Sequence, residues 1–176
     1  MELVERLKKK FEVIGFKKQR KDLFIVETTK KDLIPMLFYL KEYEGFRTLT
    51  LISYVDWIEE GKFQLSYILW NSRTKDNIIV EFRLDREKPD FETIYRMWPQ
   101  AEAYEREIHE MFGVNFEGNP TQHEELILED WDDIPPMRRD FDTLKYSMER
   151  FGEREPKSGI NIRKEISEQY DEWRRK

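Results

Sequence analysis

The amino-acid sequence predicts an α+β fold, in which an antiparallel meander sheet is covered by helices and followed by an ordered, loop-rich C-terminal segment. Apolar residues recur at helical spacing in two early segments, and three β-rich runs joined by short polar turns follow over residues 46–84. Glycine and proline then punctuate residues 113–142. Aromatic residues make up 14% of the chain, so we expect a folded core although 39% of the residues are charged.

Two helices and a strand are expected first. Helical spacing over residues 2–14 predicts an amphipathic helix that ends at Gly15. The apolar run at residues 23–26, between charged flanks, predicts a short strand. A second helix is expected over residues 31–43, and Gly45 stands where it would end.

The β-rich region predicts three strands, at residues 46–58, 63–70 and 78–84. Gly61 supplies the first turn and the polar residues 71–77 supply the second. Because short turns join strands that run antiparallel, the three should form a meander. In the first strand, strict alternation would place four residues on one face: Leu49, Leu51, Ser53 and Val55.

Helices are expected again after the meander. Pro89 and Pro99 bracket a short helix over residues 91–98, and a longer helix over residues 100–112 should end at Gly113.

The remaining chain is poor in regular patterns. Residues 113–142 should form an ordered loop in which only residues 126–128 could be regular, since three aromatic rings there need burial: Phe116, Trp131 and Phe141. The charged last stretch is expected to form a helix over residues 161–174.

Composition excludes several classes of function. The absence of cysteine excludes disulfides, cysteine-ligated iron–sulfur clusters and thiolate catalysis in this chain. Its 31 basic and 37 acidic residues are interleaved, which argues against a general nucleic-acid binder. No signal peptide is visible, and the longest apolar stretch, residues 33–40, falls far short of the roughly 20 residues that cross a bilayer. We therefore expect a cytoplasmic location and membrane association only through partners.

One group of side chains could bind a metal. On a helix, Glu102, Glu105 and His109 would share one face, and His123 and Glu124 follow downstream. A di-metal site needs a second Glu-x-x-His pair, which the sequence lacks, so a solvated charged face is the simpler interpretation. Motifs for a nucleophilic serine or a phosphate-binding glycine loop are also missing.

A second group is basic. The segment at residues 137–141 could bind an anion or anchor a partner through its arginines, Arg138 and Arg139. The alternative is an ion pair within the chain, with Asp140 or a nearby glutamate.

Four motifs stand in order near the middle of the chain. They read EREIHEMFGV at 105–114, FEGNP at 116–120, EDW at 129–131 and PMRRDF at 136–141. In sequence and spacing they resemble the signature of the thirty-kilodalton subunit family of respiratory complex I (the C subunit of NADH:quinone oxidoreductase). That family is found also in archaeal membrane-bound hydrogenase and sulfane sulfur reductase complexes.

Three departures from the family pattern stand out. Asn119 replaces the family's histidine, His123 and Glu124 replace its pair of arginines, and one residue is inserted near Pro135. The lost arginines put an inherited anion contact at that loop in doubt. The departures and a thermophile-like content of Glu, Lys and Arg favour an archaeal sulfane sulfur reductase or membrane-bound hydrogenase type of complex.

The resemblance implies a non-catalytic peripheral-arm subunit of a complex I-like, membrane-bound oxidoreductase, on the cytoplasmic side of the membrane. It would dock on the large (49 kDa-like) subunit near the terminal iron–sulfur cluster. The implied chain holds no cofactor or metal of its own, and the iron–sulfur clusters belong to partner subunits. On this basis residues 1–88 form the α+β domain, residues 89–152 the helix and docking-loop segment, and residues 153–176 a charged extension.

The same resemblance selects the residues of a partner interface. The glycines and the proline would fix turns, the large rings would be buried against the partner or under the loop, and the arginines would form fork-shaped contacts to partner carboxylates. The set is Glu105, Arg106, Glu107, Met111, Phe112, Gly113, Gly118, Pro120, Trp131, Arg138, Arg139, Asp140 and Phe141. Two alternatives stay open: a stand-alone enzyme with a metal on Glu102, Glu105 and His109, and a generic adaptor module.

Overall fold

The computed structural model describes residues 2–152 and 162–175, in two compact units, Met1–Phe141 and Asp142–Lys176. The helices are α1 (Glu2–Lys10), α2 (Lys30–Glu42), α3 (Ala101–Phe112), α4 (Thr143–Phe151) and α5 (Ile162–Arg175). The strands are β1 (Val13–Arg20), β2 (Leu23–Thr28), β3 (Thr48–Trp57), β4 (Lys62–Trp70), β5 (Asn77–Asp85), β6 (Asp90–Glu92) and β7 (Asn115–Glu117).

The first unit is built on a five-stranded sheet in the order β1-β2-β5-β4-β3. Strands β3, β4 and β5 form the predicted antiparallel meander, and β1 pairs antiparallel with β2. Because α2 carries the chain across the sheet before the meander returns, β5 lies beside β2 in the same direction. The α+β class is confirmed, and the sheet as a whole is mixed.

One face of this sheet carries the hydrophobic core. Strand β5 alternates cleanly, so Val80 and Phe82 point to the core. Leu7 of α1, Leu37 of α2 and Ile108 of α3 belong to the same buried cluster. The three helices therefore cover one face of the sheet, which leaves the outward residues of the central strands outside the core.

The predicted helix over residues 2–14 is too long. Helix α1 ends at Lys10, and residues 13–20 form the edge strand β1, which sequence analysis missed. Pairing with β2 and a hydrogen bond from the Thr28 hydroxyl to the Glu12 carbonyl (2.8 Å) hold this segment extended. A lysine-rich edge strand has little periodicity to reveal it, since charges there discourage pairing with other chains.

The alternation expected in the first meander strand is also wrong. The register with β4 shifts between Leu49 and Leu51, as in a β-bulge. The shift turns Ile52 and Asp56 towards the core, while Leu51 and Val55 become exposed.

The short helix expected over residues 91–98 does not form. Its first residues belong to β6, which pairs in parallel with β7, and turns follow. Trp98 is buried there and donates from its indole nitrogen to the Arg47 carbonyl at 2.8 Å. Tertiary contacts thus decide the conformation of this segment.

The second unit contains α4 and α5. The Asp142 side chain caps α4 by accepting a hydrogen bond from the Lys145 amide at 2.9 Å, a helix that the sequence analysis did not predict. The helix expected over residues 161–174 is confirmed as α5. Residues 153–161 of the predicted extension lie outside the described residues, and the three-segment division stays a prediction.

Candidate docking surface

A buried carboxylate, Glu105, joins α3 to two other segments. With Ala101 and Ile108 it lies on the buried face of the helix. It accepts hydrogen bonds from the Thr93 hydroxyl, the Ile94 amide at 2.9 Å and the Asn119 side-chain amide at 2.8 Å. Burial raises the pKa of Glu105, and the three hydrogen bonds act in the opposite direction.

The loop after β7 is ordered by its own amide side chains. Asn119 accepts from the Thr121 amide at 3.0 Å while its nitrogen donates to Glu105. Gln122 accepts from the Phe116 amide at 2.7 Å. Both amide side chains are buried, so the loop is fixed by hydrogen bonds inside the protein.

Glu110 positions the next part of the loop. Its carboxylate accepts hydrogen bonds from three consecutive backbone amides, those of Leu126, Ile127 and Leu128, at 2.8 to 3.2 Å. Because these amides bind a side chain, residues 126–128 adopt no regular structure, contrary to the possibility left open for them. The arrangement turns Leu126 (37% exposed) and Ile127 (63% exposed) towards solvent.

The chain then folds back onto the end of α3. The Met137 amide donates to the Met111 carbonyl at 3.1 Å, and Arg138 Nε donates to the Phe112 carbonyl at 2.6 Å. The Arg138 guanidinium also lies 5.3 Å from the centre of the Phe63 ring.

Gly113 permits this close approach. It ends α3 with φ of +77°, and its amide donates to the His109 carbonyl at 2.8 Å. A Cβ atom at this position would lie 2.9 Å from an Arg138 nitrogen and 3.2 Å from Pro135. The positive φ favours glycine, and a larger residue would also force Arg138 and Pro135 to shift.

An ion-pair network fixes the last part of the segment to the sheet. Arg86 donates to Asp56 at 3.0 and 3.2 Å and to Asp140 at 2.6 Å. Asp56 is buried, and it also accepts from the Arg139 amide at 3.0 Å. The Arg139 side chain pairs with Glu59 at 2.6 Å. Arg86 lowers the pKa of Asp140, and Arg139 lowers that of Glu59.

The result is a rigidly held, acidic and partly apolar surface. Residues 124–133 read EELILEDWDD, with six acidic residues and no basic one. The rings of Trp131 and Phe141 lie edge to face at 5.5 Å, each half-buried. We define the candidate docking surface, called the docking surface below, as four exposed apolar side chains together with the carboxylates of residues 124–133. The four are Leu126, Ile127, Ile134 and Met137.

The residues of the proposed metal site do not converge on one point. The Glu105 carboxylate is occupied by its three donors, and that of Glu102 accepts from the Thr121 hydroxyl at 2.8 Å. His109 Nδ1 lies 2.7 Å from the Val114 carbonyl. In residues 2–152 and 162–175, no three His, Asp or Glu side chains are grouped in a way that could hold a metal ion.

Comparison with known proteins identifies the family. A family profile described as "Respiratory-chain NADH dehydrogenase, 30 Kd subunit" matches residues 26–147. The chain belongs to this family. The C subunit of NADH-quinone oxidoreductase from Rickettsia prowazekii, to which the chain is similar, is 31% identical over 153 residues, covering 85% of this chain and 76% of that protein.

Two further relatives extend the comparison. The C/D subunit of NADH-quinone oxidoreductase from a Hydrogenobaculum species is 36% identical over 147 residues, 81% of this chain, and the chain spans only 24% of that protein's length. A chain in the structure of the membrane-bound sulfane sulfur reductase, an archaeal respiratory membrane complex, matches with a TM-score of 0.78 and 31% identity, covering 85% of this chain and 89% of that one. In the part of the chain that the structure describes, no helix is both long and apolar enough to cross a membrane.

Many of the residues selected from the 30 kDa signature contact other parts of this chain. They include Glu105, Arg106, Gly113, Arg138, Arg139 and Asp140. Arg106, for example, pairs with Glu124 at 3.3 Å. Glu124 stands where the family pattern has an arginine, and an arginine there could not form this ion pair.

The selected residues also differ in their exposure to solvent. Met111, Phe112, Trp131 and Phe141 are half-buried, and Glu107, Gly118, Pro120 and Arg139 are exposed. The expectation that arginines reach partner carboxylates stays a prediction, for which Arg139 has the most accessible side chain of the three.

The exposed apolar residues of the docking surface were not predicted from the sequence. Ile127, Ile134 and Met137 interrupt an acidic, proline-containing segment. Isolated apolar residues in such a segment are a sequence signal for a contact surface. Only the fold shows that Glu110 turns residues 126–128 outward.

Proposed function

We propose that this chain is a non-catalytic peripheral-arm subunit that docks on the large (49 kDa-like) subunit of a complex I-like, membrane-bound oxidoreductase. It would lie at the cytoplasmic side of the membrane, near the terminal iron–sulfur cluster of its partners. Sulfane sulfur reductase or membrane-bound hydrogenase is the favoured type of complex, in view of the similarity to a chain of the archaeal sulfane sulfur reductase complex.

One observation carries the docking role. The apolar side chains of Leu126 and Ile127 are held in solvent by the Glu110 carboxylate instead of being turned into the core. Exposed apolar groups on a rigid loop are costly for an isolated protein and typical of the centre of an interface. The preorganised loop also lowers the entropy that binding would otherwise lose.

The charge of the loop indicates what the partner presents. Residues 124–133 carry six carboxylates and no basic residue, and one of these carboxylates, Glu124, pairs with Arg106 elsewhere in the chain. A basic partner surface with apolar pockets would complement this segment. The Hydrogenobaculum relative supports a close association with another subunit, because its name joins C to D in one protein and this chain spans about a quarter of it.

Co-purification from membranes tests the proposal. We expect Ile127→Asp to lower the amount of large subunit recovered with the tagged chain by at least about tenfold, since a charge would be buried at the interface centre. Phe38→Asp, on the exposed face of α2 with 50% exposure, is the matched control and should leave recovery unchanged. Normal recovery with Ile127→Asp would exclude this loop as the interface.

The alternatives predict other outcomes. A generic adaptor would co-purify with proteins unrelated to redox chemistry, and a stand-alone enzyme would turn over a substrate without companions.

A further inference from the structure

The second face of the sheet is not covered by a helix within residues 2–141. The core residues of β4 and β5 alternate with residues that point away from α1, α2 and α3. We call the surface they form with β2 and β3 the outer face. Its central side chains are Glu27, Glu81, Ser66, Leu51, Ile68 and Ile79.

Strand register places two glutamates on neighbouring strands of the outer face. Glu27 of β2 is directly opposite Glu81 of β5, and Ser66 of β4 is the next residue in the same row. Gly15 continues the row on β1, where a Cβ atom would lie 3.1 Å from a Glu27 carboxylate oxygen. The row therefore joins two small residues, Gly15 and Ser66, to two acidic ones, and we call it the acidic row.

An apolar row runs beside the acidic row. Leu51, Ile68 and Ile79 are successive neighbours across β3, β4 and β5. Leu51 is 40% exposed, and the two isoleucines are partly exposed and outside the core cluster. The outer face thus has an acidic row beside an aliphatic row.

Neither carboxylate forms an ion pair with a described residue. Glu81 is 3.4 Å from the Ser66 hydroxyl, and the nearby Arg83 instead pairs with Glu60 at 2.7 Å and lies over the Trp57 ring. Burial and the Glu27 charge raise the pKa of Glu81. Like charges opposite each other on neighbouring strands destabilise a sheet.

Simple exposure to solvent does not explain why an aliphatic row lies beside two acidic residues on this face. Antiparallel sheets often leave one face to solvent, and such faces alternate polar residues with the buried apolar ones. Here an aliphatic row lies beside an unpaired acid pair. A partner that brings one cation and several aliphatic groups would remove both unfavourable features.

We propose that the outer face binds a helix of another subunit of the same complex, with an arginine or lysine between Glu27 and Glu81 and aliphatic side chains over Leu51, Ile68 and Ile79. A helix fits because this face offers side chains, whereas an added strand would need an open sheet edge. The inference rests on the proposed function, since it requires that the chain belongs to a multisubunit complex.

The test compares the isolated chain with the assembled complex. Glu27→Gln together with Glu81→Gln removes the charge pair at nearly constant shape. We expect the isolated chain to melt about 2–4 °C higher, because repulsion is removed. Recovery of the complex through the tagged chain should fall by at least about tenfold, because the partner's cation loses its counter-charge. The control is Glu5→Gln with Glu87→Gln, two exposed glutamates elsewhere, which should change neither quantity.

The outcomes separate this inference from the proposed docking role. Full recovery of the complex with the double Gln variant, while Ile127→Asp prevents recovery, overturns the outer-face inference alone. A lower melting temperature of the isolated double variant also overturns the inference, because Glu27 and Glu81 would then stabilise the fold. A wild-type chain that recovers no other subunit overturns both.

Discussion

The Glu105 carboxylate and the Asn119 side-chain amide are joined by a 2.8 Å hydrogen bond in the interior of the first unit. The contact links the middle of α3 to the loop that leads to the docking surface. Asn119 stands where the family pattern has a histidine, and here it acts as the donor that this buried carboxylate needs. A buried hydrogen bond therefore holds the start of the loop that leads to the docking surface.

Glu105→Gln should lower the free energy of unfolding by about 2 kcal/mol, because an amide nitrogen would face one of three buried donors. Urea denaturation measures the change. Glu107→Gln, on the exposed side of the same helix, is the control and should cost less than about 0.5 kcal/mol. Equal effects of the two substitutions would contradict a special role for Glu105.

The pH dependence of stability should carry a signature of the same residue. Burial raises the pKa of Glu105, so the folded state holds its proton more tightly than the unfolded state does. The contribution of Glu105 to stability is fully present below the ordinary glutamate pKa, roughly 4.3. This contribution is lost as the pH rises through the raised pKa of the folded state. Wild type should therefore lose stability relative to Glu105→Gln over that range, as seen by denaturation at several pH values. An unchanged difference would refute this.

Arg86→Ala should destabilise the first unit by about 3 kcal/mol, because it leaves the buried Asp56 carboxylate without its cation. Asp140 would also lose its ion pair, so its side chain should no longer be held by this network. The matched control, Arg83→Ala, breaks a more exposed pair with Glu60 and should cost below about 1 kcal/mol. Thermal or urea unfolding of both variants tests the ranking.

Gly113→Ala should cost about 2 kcal/mol and Gly61→Ala only about 1 kcal/mol. Both glycines have positive φ, +77° and +61°, so both substitutions strain the backbone. Only at Gly113 would the added Cβ atom also meet Arg138 and Pro135, since nothing lies within 4 Å of the position at Gly61. Urea denaturation of the two variants measures both costs, and a larger loss at Gly61 would show that the contact is unimportant.

Glu110→Ala should release the docking loop without unfolding the protein. Hydrogen exchange at the amides of Leu126, Ile127 and Leu128 should accelerate by about tenfold, since each loses its carboxylate acceptor. Glu107→Ala serves as the control and should leave these amides unchanged. Unaltered exchange in Glu110→Ala would mean that other contacts hold the loop.

Local patterns predicted much of the fold. Helix α2, helix α3 with its end at Gly113, strand β2 and the meander follow from the spacing of apolar residues and from turn glycines. The motifs between residues 105 and 141 indicated the family, which the family comparison then confirmed. These features depend on neighbours a few residues apart, and such neighbours can be read from a single sequence.

Contacts between residues far apart in the sequence were determined only by the tertiary structure. Strand β1 exists because β2 pairs with it, and residues 91–98 are not helical because β7 and Arg47 provide other partners. The bulge in β3 and the burial of Glu105 likewise depend on contacts far along the chain. Arg138 and Asp140 could have faced a partner on sequence grounds alone, yet the fold gives them acceptors and donors within the chain. A hydrogen bond or ion pair requires its two groups to meet in space, and only the folded chain fixes that distance.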